Sequence, residues 1–190
     1  MPSPSDGDPE ANTRRLGLIG AESSGKSTLA RALASDLNAA VATEVLRDFV
    51  SLEGRTPRAE EQEAILRAQQ DREDDLAARE PGRVVIGDPA ALMTAIYSIA
   101  YFDDDSLLPP ALDLARHYDL IAWCDIDQPW QPDGIQRDGP VMRERVHDLI
   151  SRIVDEELAG MAHIRVSGEL AGRVGAVRRA WQQQAPSAPT

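Results

Sequence analysis

Residues Gly20-Ala21-Glu22-Ser23-Ser24-Gly25-Lys26-Ser27 carry the strongest chemical signal in the chain. They fit the phosphate-binding pattern G-x-x-x-x-G-K-[ST] at every defined position. Glycines at 20 and 25 allow the backbone angles and close approach that a side chain would block. The loop's N–H groups then converge on phosphate oxygens at a helix N-terminus, where the helix dipole also favours negative charge. Lys26 is placed to reach the β- and γ-phosphates, and the Ser27 hydroxyl to bind Mg²⁺. The expected nucleotide site is Gly20 through Thr28, with ATP and Mg²⁺ as cofactors. Leu16, Leu18 and Ile19 before the loop read as a short buried strand, and residues 28–34 after it as a helix.

A second group of residues stands at the ends of other apolar runs. Val84-Val85-Ile86-Gly87 leads into Asp88. A carboxylate at such a strand end either holds a Mg²⁺-bound water or accepts the proton of an attacking hydroxyl. Asp88-Pro89 also reads as an N-cap with proline at the first helical position, and both readings can hold together. Glu44 and Arg47 follow the weak strand 39–42, and helix capping or a salt bridge explains them equally well. Asp125 ends the run Leu120-Ile121-Ala122-Trp123-Cys124. The phosphate loop, Glu44, Asp88 and Asp125 are therefore expected to converge on one cleft. Thr94, Tyr97 and Tyr101 share a helical face, where core packing competes with stacking on an aromatic acceptor.

Residues 127–140 are polar and turn-rich and carry Trp130 and Arg137, with Arg143 close behind. They read as a lid that excludes water and brings cations to a developing charge. Arg137 and Arg143 are the candidates for those cations, set against pairing with the chain's many carboxylates. Three histidines, 117, 147 and 163, show no metal-ligand spacing.

These groups need a scaffold that brings strand ends together. Apolar runs at 16–19, 39–42, 84–87, 120–124 and 164–166 alternate with helical segments. That order implies an α/β fold, a parallel sheet with helices on both faces. Ligands in such sheets bind beyond the carboxyl ends of the strands. Residues 58–79 lack Gly and Pro and read as a long exposed helix with a solvated charged face. Its thin apolar stripe is Ala64, Leu66, Ala68, Leu76 and Ala77.

The chain has 190 residues, which suits one such domain, with a 42% hydrophobic content able to form a core. Residues 1–13 read as a disordered leader, 14–181 as the domain and 182–190 as a flexible tail. A net charge of −12 argues against nucleic-acid or anionic-membrane partners. One cysteine, Cys124, excludes an internal disulfide and fits the cytoplasm. No apolar stretch is long enough to span a bilayer. The oligomeric state is left open.

The stretches GAESSGKSTLA, TEVLRDFV, VVIGDPAALMTAIYSIAYF and DQPWQPDGIQRDG together resemble the ribosylnicotinamide kinase domain of the bacterial NadR proteins and the small AAA-type P-loop ATPases grouped with it. The resemblance spans about residues 15–181. It implies a nucleoside-monophosphate-kinase-like P-loop fold that transfers the γ-phosphoryl of ATP to the 5′-hydroxyl of nicotinamide riboside. It also implies that Asp88 lies near the reacting hydroxyl, Glu44 and Arg47 lie near the acceptor, and Trp130 lies where it can stack on the pyridinium ring. The lid reads Asp-Gly-Ile-Gln-Arg where the family usually has Asp-Gly-Leu-Arg, and Pro89 stands where many members have Thr. A nucleotide-dependent regulatory ATPase, or a kinase of another nucleoside, are the alternatives.

Overall fold

The computed structural model describes residues 13–130 and 139–184. Five short strands carry its centre: β1 (Arg15–Ile19), β2 (Ala39–Thr43), β3 (Val84–Asp88), β4 (Leu120–Cys124) and β5 (His163–Val166). They pair in parallel in the order β2-β3-β1-β4-β5. Strands β1 to β4 are near-continuous apolar runs because helices cover both faces of the sheet, while the edge strand β5 exposes His163 and Arg165. Among the described residues seven helices surround the sheet: α1 (Lys26–Asp36), α2 (Val45–Glu53), α3 (Gln62–Arg79), α4 (Leu92–Phe102), α5 (Leu108–Ala115), α6 (Pro140–Glu156) and α7 (Leu170–Gln183).

Alternation along the strands divides the core into two layers. Leu16 and Leu18 of β1 and Leu120 and Ala122 of β4 meet Leu29 and Leu33 of α1 and Val177 and Trp181 of α7. On the opposite face, Ile19, Ile121 and Trp123 meet Met93 and Ile96 of α4, Ala111 of α5, and Val146 and Ile150 of α6. The expected parallel sheet is thus present, with its strand boundaries close to those read from the apolar runs. Helix α7 runs through Gln183, so the first two residues assigned to a tail are helical.

The charge-rich segment 58–79 departs from expectation. A short 3₁₀ turn (Ala59–Glu61) precedes α3, and the buried face of α3 is Gln62, Ile65, Leu66, Gln69 and Glu73. Ala64, assigned to the apolar stripe, is exposed. Glu73 is fully buried, and Tyr118 O–H lies 2.9 Å from each of its carboxylate oxygens. A charge count takes such a face for solvated, because the partner that satisfies Glu73 lies 45 residues away.

Burial pushes the Glu73 carboxyl up to about 7, with hydrogen bonding from Tyr118 and the nearby Arg15 charge opposing the shift. Its folded-state value is raised, so its contribution to stability is full below the unfolded value and is lost as pH rises through about 7. The shift corresponds to about 3 kcal/mol. Urea denaturation of wild type and Glu73→Gln at about pH 5 and about pH 8 checks this. The variant is expected to gain stability relative to wild type at the higher pH and to lose that advantage at the lower one. Parallel pH slopes in the two proteins would contradict it.

Candidate functional site

The phosphate loop joins β1 to α1. Gly20 has φ 152°, Ser23 φ 54° and Gly25 φ 87°. A Cβ on Gly20 would stand 2.7 Å from Ser24 Oγ and 2.8 Å from the Cys124 carbonyl, so only glycine fits there. Gly25 caps α1 in a left-handed conformation without a side-chain hydrogen bond, which leaves the N–H groups of the first turn available to an anion. Lys26 Nζ donates to the carbonyls of Gly20 (2.6 Å) and Ala21 (3.0 Å), which holds the ammonium at the loop. Ser27 is half-buried and Thr28 exposed in the same turn, and Glu22 is half-buried in the loop.

A loop that turns its N–H groups inward turns carbonyls outward. Two arginines meet those carbonyls. Arg173 of α7, 4% exposed, donates from Nη1 to Ser24 O at 2.6 Å and from Nε to Gly168 O at 2.8 Å, and pairs with Asp127. Arg143 of α6, 7% exposed, donates from Nη2 to Gln128 O (2.7 Å), Ser23 O (3.3 Å) and Ile126 O (3.4 Å). Burial pushes the Arg143 guanidinium down from its usual value, with Asp127 opposing. Arg143, expected as a cation of the lid, is therefore seated behind the loop on backbone carbonyls. Position after the last strand predicts residues 167–173 near an adenine, but the contact of Arg173 with the loop has no signal in the sequence, since Ser24 lies 149 residues away.

Asp88 closes β3, the neighbour of β1, and is 6% exposed. Its Oδ1 is buried with no hydrogen-bond partner among the described residues. The N-cap reading is overturned. Helix α4 begins at Leu92 with Ala91 as its cap, and the chain turns through Pro89 and Ala90 first, with Ala90 N–H donating to Leu18 O at 2.9 Å. Thr43 of β2 stands in register with Asp88, which sets Glu44 one strand further from the loop. Glu44 pairs with the exposed Arg47 at 3.5 Å, so the salt-bridge reading of these two is realised at the start of α2.

Asp125 is held by Arg165 at 2.8 Å and has His147 Nε2 at 3.7 Å, and the Arg165 bond keeps its carboxyl below the usual range. It directly follows β4, which neighbours β1 on the side away from β3. Tyr97, an expected acceptor contact, is 8% exposed within the α4 core layer, its ring centroid 6.1 Å from that of Tyr101. The packing reading describes Tyr97. Trp130 is half-buried, and its indole N–H has no partner among the described residues. Arg137 and most of the expected lid lie outside the described residues. Burial pushes the Cys124 thiol up to about 11, in keeping with a small inert core residue.

A divalent cation fits this donor set. Ser27 offers a hydroxyl in the first turn of α1, and Asp88 a buried carboxylate oxygen that no other described residue engages. Among the described residues no cluster of three or more His, Cys, Asp or Glu side chains could hold a metal. The fitting ion is one that shares its ligands with nucleotide phosphates, as Mg²⁺ does. No helix among the described residues is long and apolar enough to cross a membrane.

Comparison with known proteins agrees with this geometry. A family described as an AAA domain matches residues 15–173. The solved structure of a NadR protein in complex with NAD and AMP-PNP superposes with a TM-score of 0.72 at 18% identity, covering 94% of this chain and 51% of that one. A NadR protein in complex with NR superposes at 0.70 and 20% identity, covering 94% and 53%. Deoxyadenosine kinase from M. mycoides with bound dATP superposes at 0.62 and 12% identity, covering 89% and 99%. The chain thus has the fold of P-loop nucleoside and nucleotide kinases and spans about half the length of the NadR chains. A stretch of 100 residues is 34% identical to delta-aminolevulinic acid dehydratase 1, chloroplastic, of Arabidopsis thaliana, covering 48% of this chain and 23% of that protein.

The role of Arg173 is testable by Arg173→Met. Losing a charged donor to a buried carbonyl costs about 2 kcal/mol, so calorimetric binding of a non-hydrolysable ATP analogue should weaken about 10- to 30-fold. Unchanged affinity in a folded variant would show that the loop holds its shape without this brace.

Proposed function

The chain belongs to the AAA domain family, and from that premise we propose that it is an ATP-dependent kinase of a small nucleoside, with the 5′-hydroxyl of nicotinamide riboside as acceptor. The observation that carries the reading is Asp88. A buried carboxylate oxygen without a partner among the described residues, on the strand next to the phosphate loop, is costly unless a hydroxyl or a cation engages it. A kinase supplies both. The choice of acceptor is supported by the quoted sequence stretches and by the likeness to NadR structures, one of them in complex with NR.

In this reading the loop N–H groups and Lys26 hold the β- and γ-phosphates. Bound Mg²⁺, held through Ser27 and Asp88, supplies neutralising charge to the phosphate oxygens. Asp88 orients the acceptor hydroxyl in line with the γ-phosphorus. The acceptor oxygen bonds to phosphorus as the bond to the β–γ bridging oxygen breaks, and the products are nicotinamide mononucleotide, ADP and a proton. Glu44 and Arg47 border the acceptor from the end of β2. Trp130 stacks on the cationic ring, and Arg137 comes from the lid to the transferred group. The adenine rests on residues 167–173, which Arg173 ties to the phosphate loop.

The test is ATP turnover with Mg²⁺, with and without nicotinamide riboside, with product mass recorded. Turnover stimulated by the riboside, with a product heavier by one phosphoryl group, is expected. Lys26→Ala should lower it about 100- to 1,000-fold, and Asp88→Asn should lower kcat about 100-fold with the KM for ATP little changed. Turnover indifferent to this and other nucleosides would reject a nucleoside kinase and favour a nucleotide-dependent regulatory ATPase.

A further inference from the structure

Gly17 of β1 stands in register with Gly87 of β3. A Cβ on Gly17 would lie 3.1 Å from the Tyr118 ring, and one on Gly87 2.7 Å from Glu73 Oε1. The paired glycines therefore open a hollow in the sheet face, and the Tyr118 ring and the Glu73 carboxyl fill it. Tyr118 O–H donates to Glu73 and accepts from Ala91 N–H at 3.3 Å. Gly87 immediately precedes Asp88, and Ala91 ends the turn that follows it. The pair thus touches the backbone on both sides of Asp88.

The same helix holds the second acceptor-side carboxylate. Gln69 Oε1 accepts from Val45 N–H at 3.0 Å, directly after Glu44. Arg72 donates to Thr43 O at 3.0 Å, directly before it, and pairs with Asp48 at 2.8 Å. One face of α3 therefore grips the chain around both Asp88 and Glu44. Apolar side chains would fill this hollow at lower cost than a buried carboxyl that pushes its own protonation toward neutrality.

We infer that Glu73 and Tyr118, with Gln69, are positioning residues that set where Asp88 and Glu44 stand relative to the phosphate loop. The inference rests on the kinase reading above for its effect on rate, and on the backbone contacts alone for its effect on structure. Gln at position 73 keeps an acceptor for Tyr118 O–H, whereas Leu removes it and Phe at 118 removes the hydroxyl.

Steady-state kinetics of the full chain with ATP and nicotinamide riboside, run well below each variant's melting temperature, tests the rate. Tyr118→Phe and Glu73→Leu are expected to lower kcat about tenfold while the KM for ATP stays within about twofold, and Glu73→Gln to restore near-wild-type kcat. Unchanged kcat, or loss in Glu73→Gln equal to that in Glu73→Leu, overturns the inference. Amide exchange is read in parallel. Ala91 exchange should rise at least about tenfold in Tyr118→Phe while the amides of α1 keep their protection. Unchanged Ala91 exchange overturns the inference whatever the acceptor. A wild-type protein without riboside-dependent turnover instead rejects that acceptor, and the exchange result then decides the positioning role by itself.

Discussion

The outward carbonyls of Ser23 and Ser24 are the constraint on which the site depends. A backbone that presents N–H groups to a phosphate must turn carbonyls the other way, into the protein. A buried carbonyl without a donor costs free energy comparable to a lost hydrogen bond. Arg143 and Arg173 supply the donors from helices at the far end of the chain. Each contact to a charged donor contributes about 1.5–3 kcal/mol, enough to set the conformation of a short loop. The phosphate site is therefore complete only when α6 and α7 have docked, although its motif is contiguous and near the start.

The strand ends around Asp88 and Glu44 are built by a different device. There the sheet gives up two side chains, at Gly17 and Gly87, and a helix inserts a carboxyl and a tyrosine ring into the space. Polar contacts from α3 then run to the β2–α2 junction and to the turn after Asp88. Arginine–carbonyl contacts shape the nucleotide half, and a buried hydrogen-bond network shapes the other half. The phosphate loop and the Asp88–Glu44 strand ends thus have separate supports, an arrangement that suits the proposed two-substrate site.

Charge follows the same division. The chain carries a net charge of −12, yet the loop is surrounded by Lys26, Arg143 and Arg173. Backbone carbonyls occupy these cations, and Asp127 pairs with Arg173, so the positive potential is local and fixed in orientation. A fixed cationic island in an acidic surface favours a small anionic nucleotide over an extended polyanion, which needs a continuous basic surface.

The amino-acid sequence alone determined the parts of this protein whose physics is local. The phosphate loop is legible because its backbone demands fall on eight consecutive residues, and glycine alone meets them at Gly20 and Gly25. Strands β1 to β4 are legible because burial makes each a near-continuous apolar run, whereas the edge strand β5 shows only Ile164 and Val166 between the exposed His163 and Arg165, and Asp88 is legible because it ends one of the apolar runs. Tertiary structure decided the rest. It seated Arg143 behind the loop, brought Arg173 to Ser24, paired Asp125 with Arg165, and buried Tyr97 in the core. It also set one face of the charged helix α3 against Val45, Thr43 and Tyr118. In each case the side chain's role depends on a partner tens to more than a hundred residues away. Burial makes such pairing obligatory, but which groups meet is set only when the helices pack on the sheet.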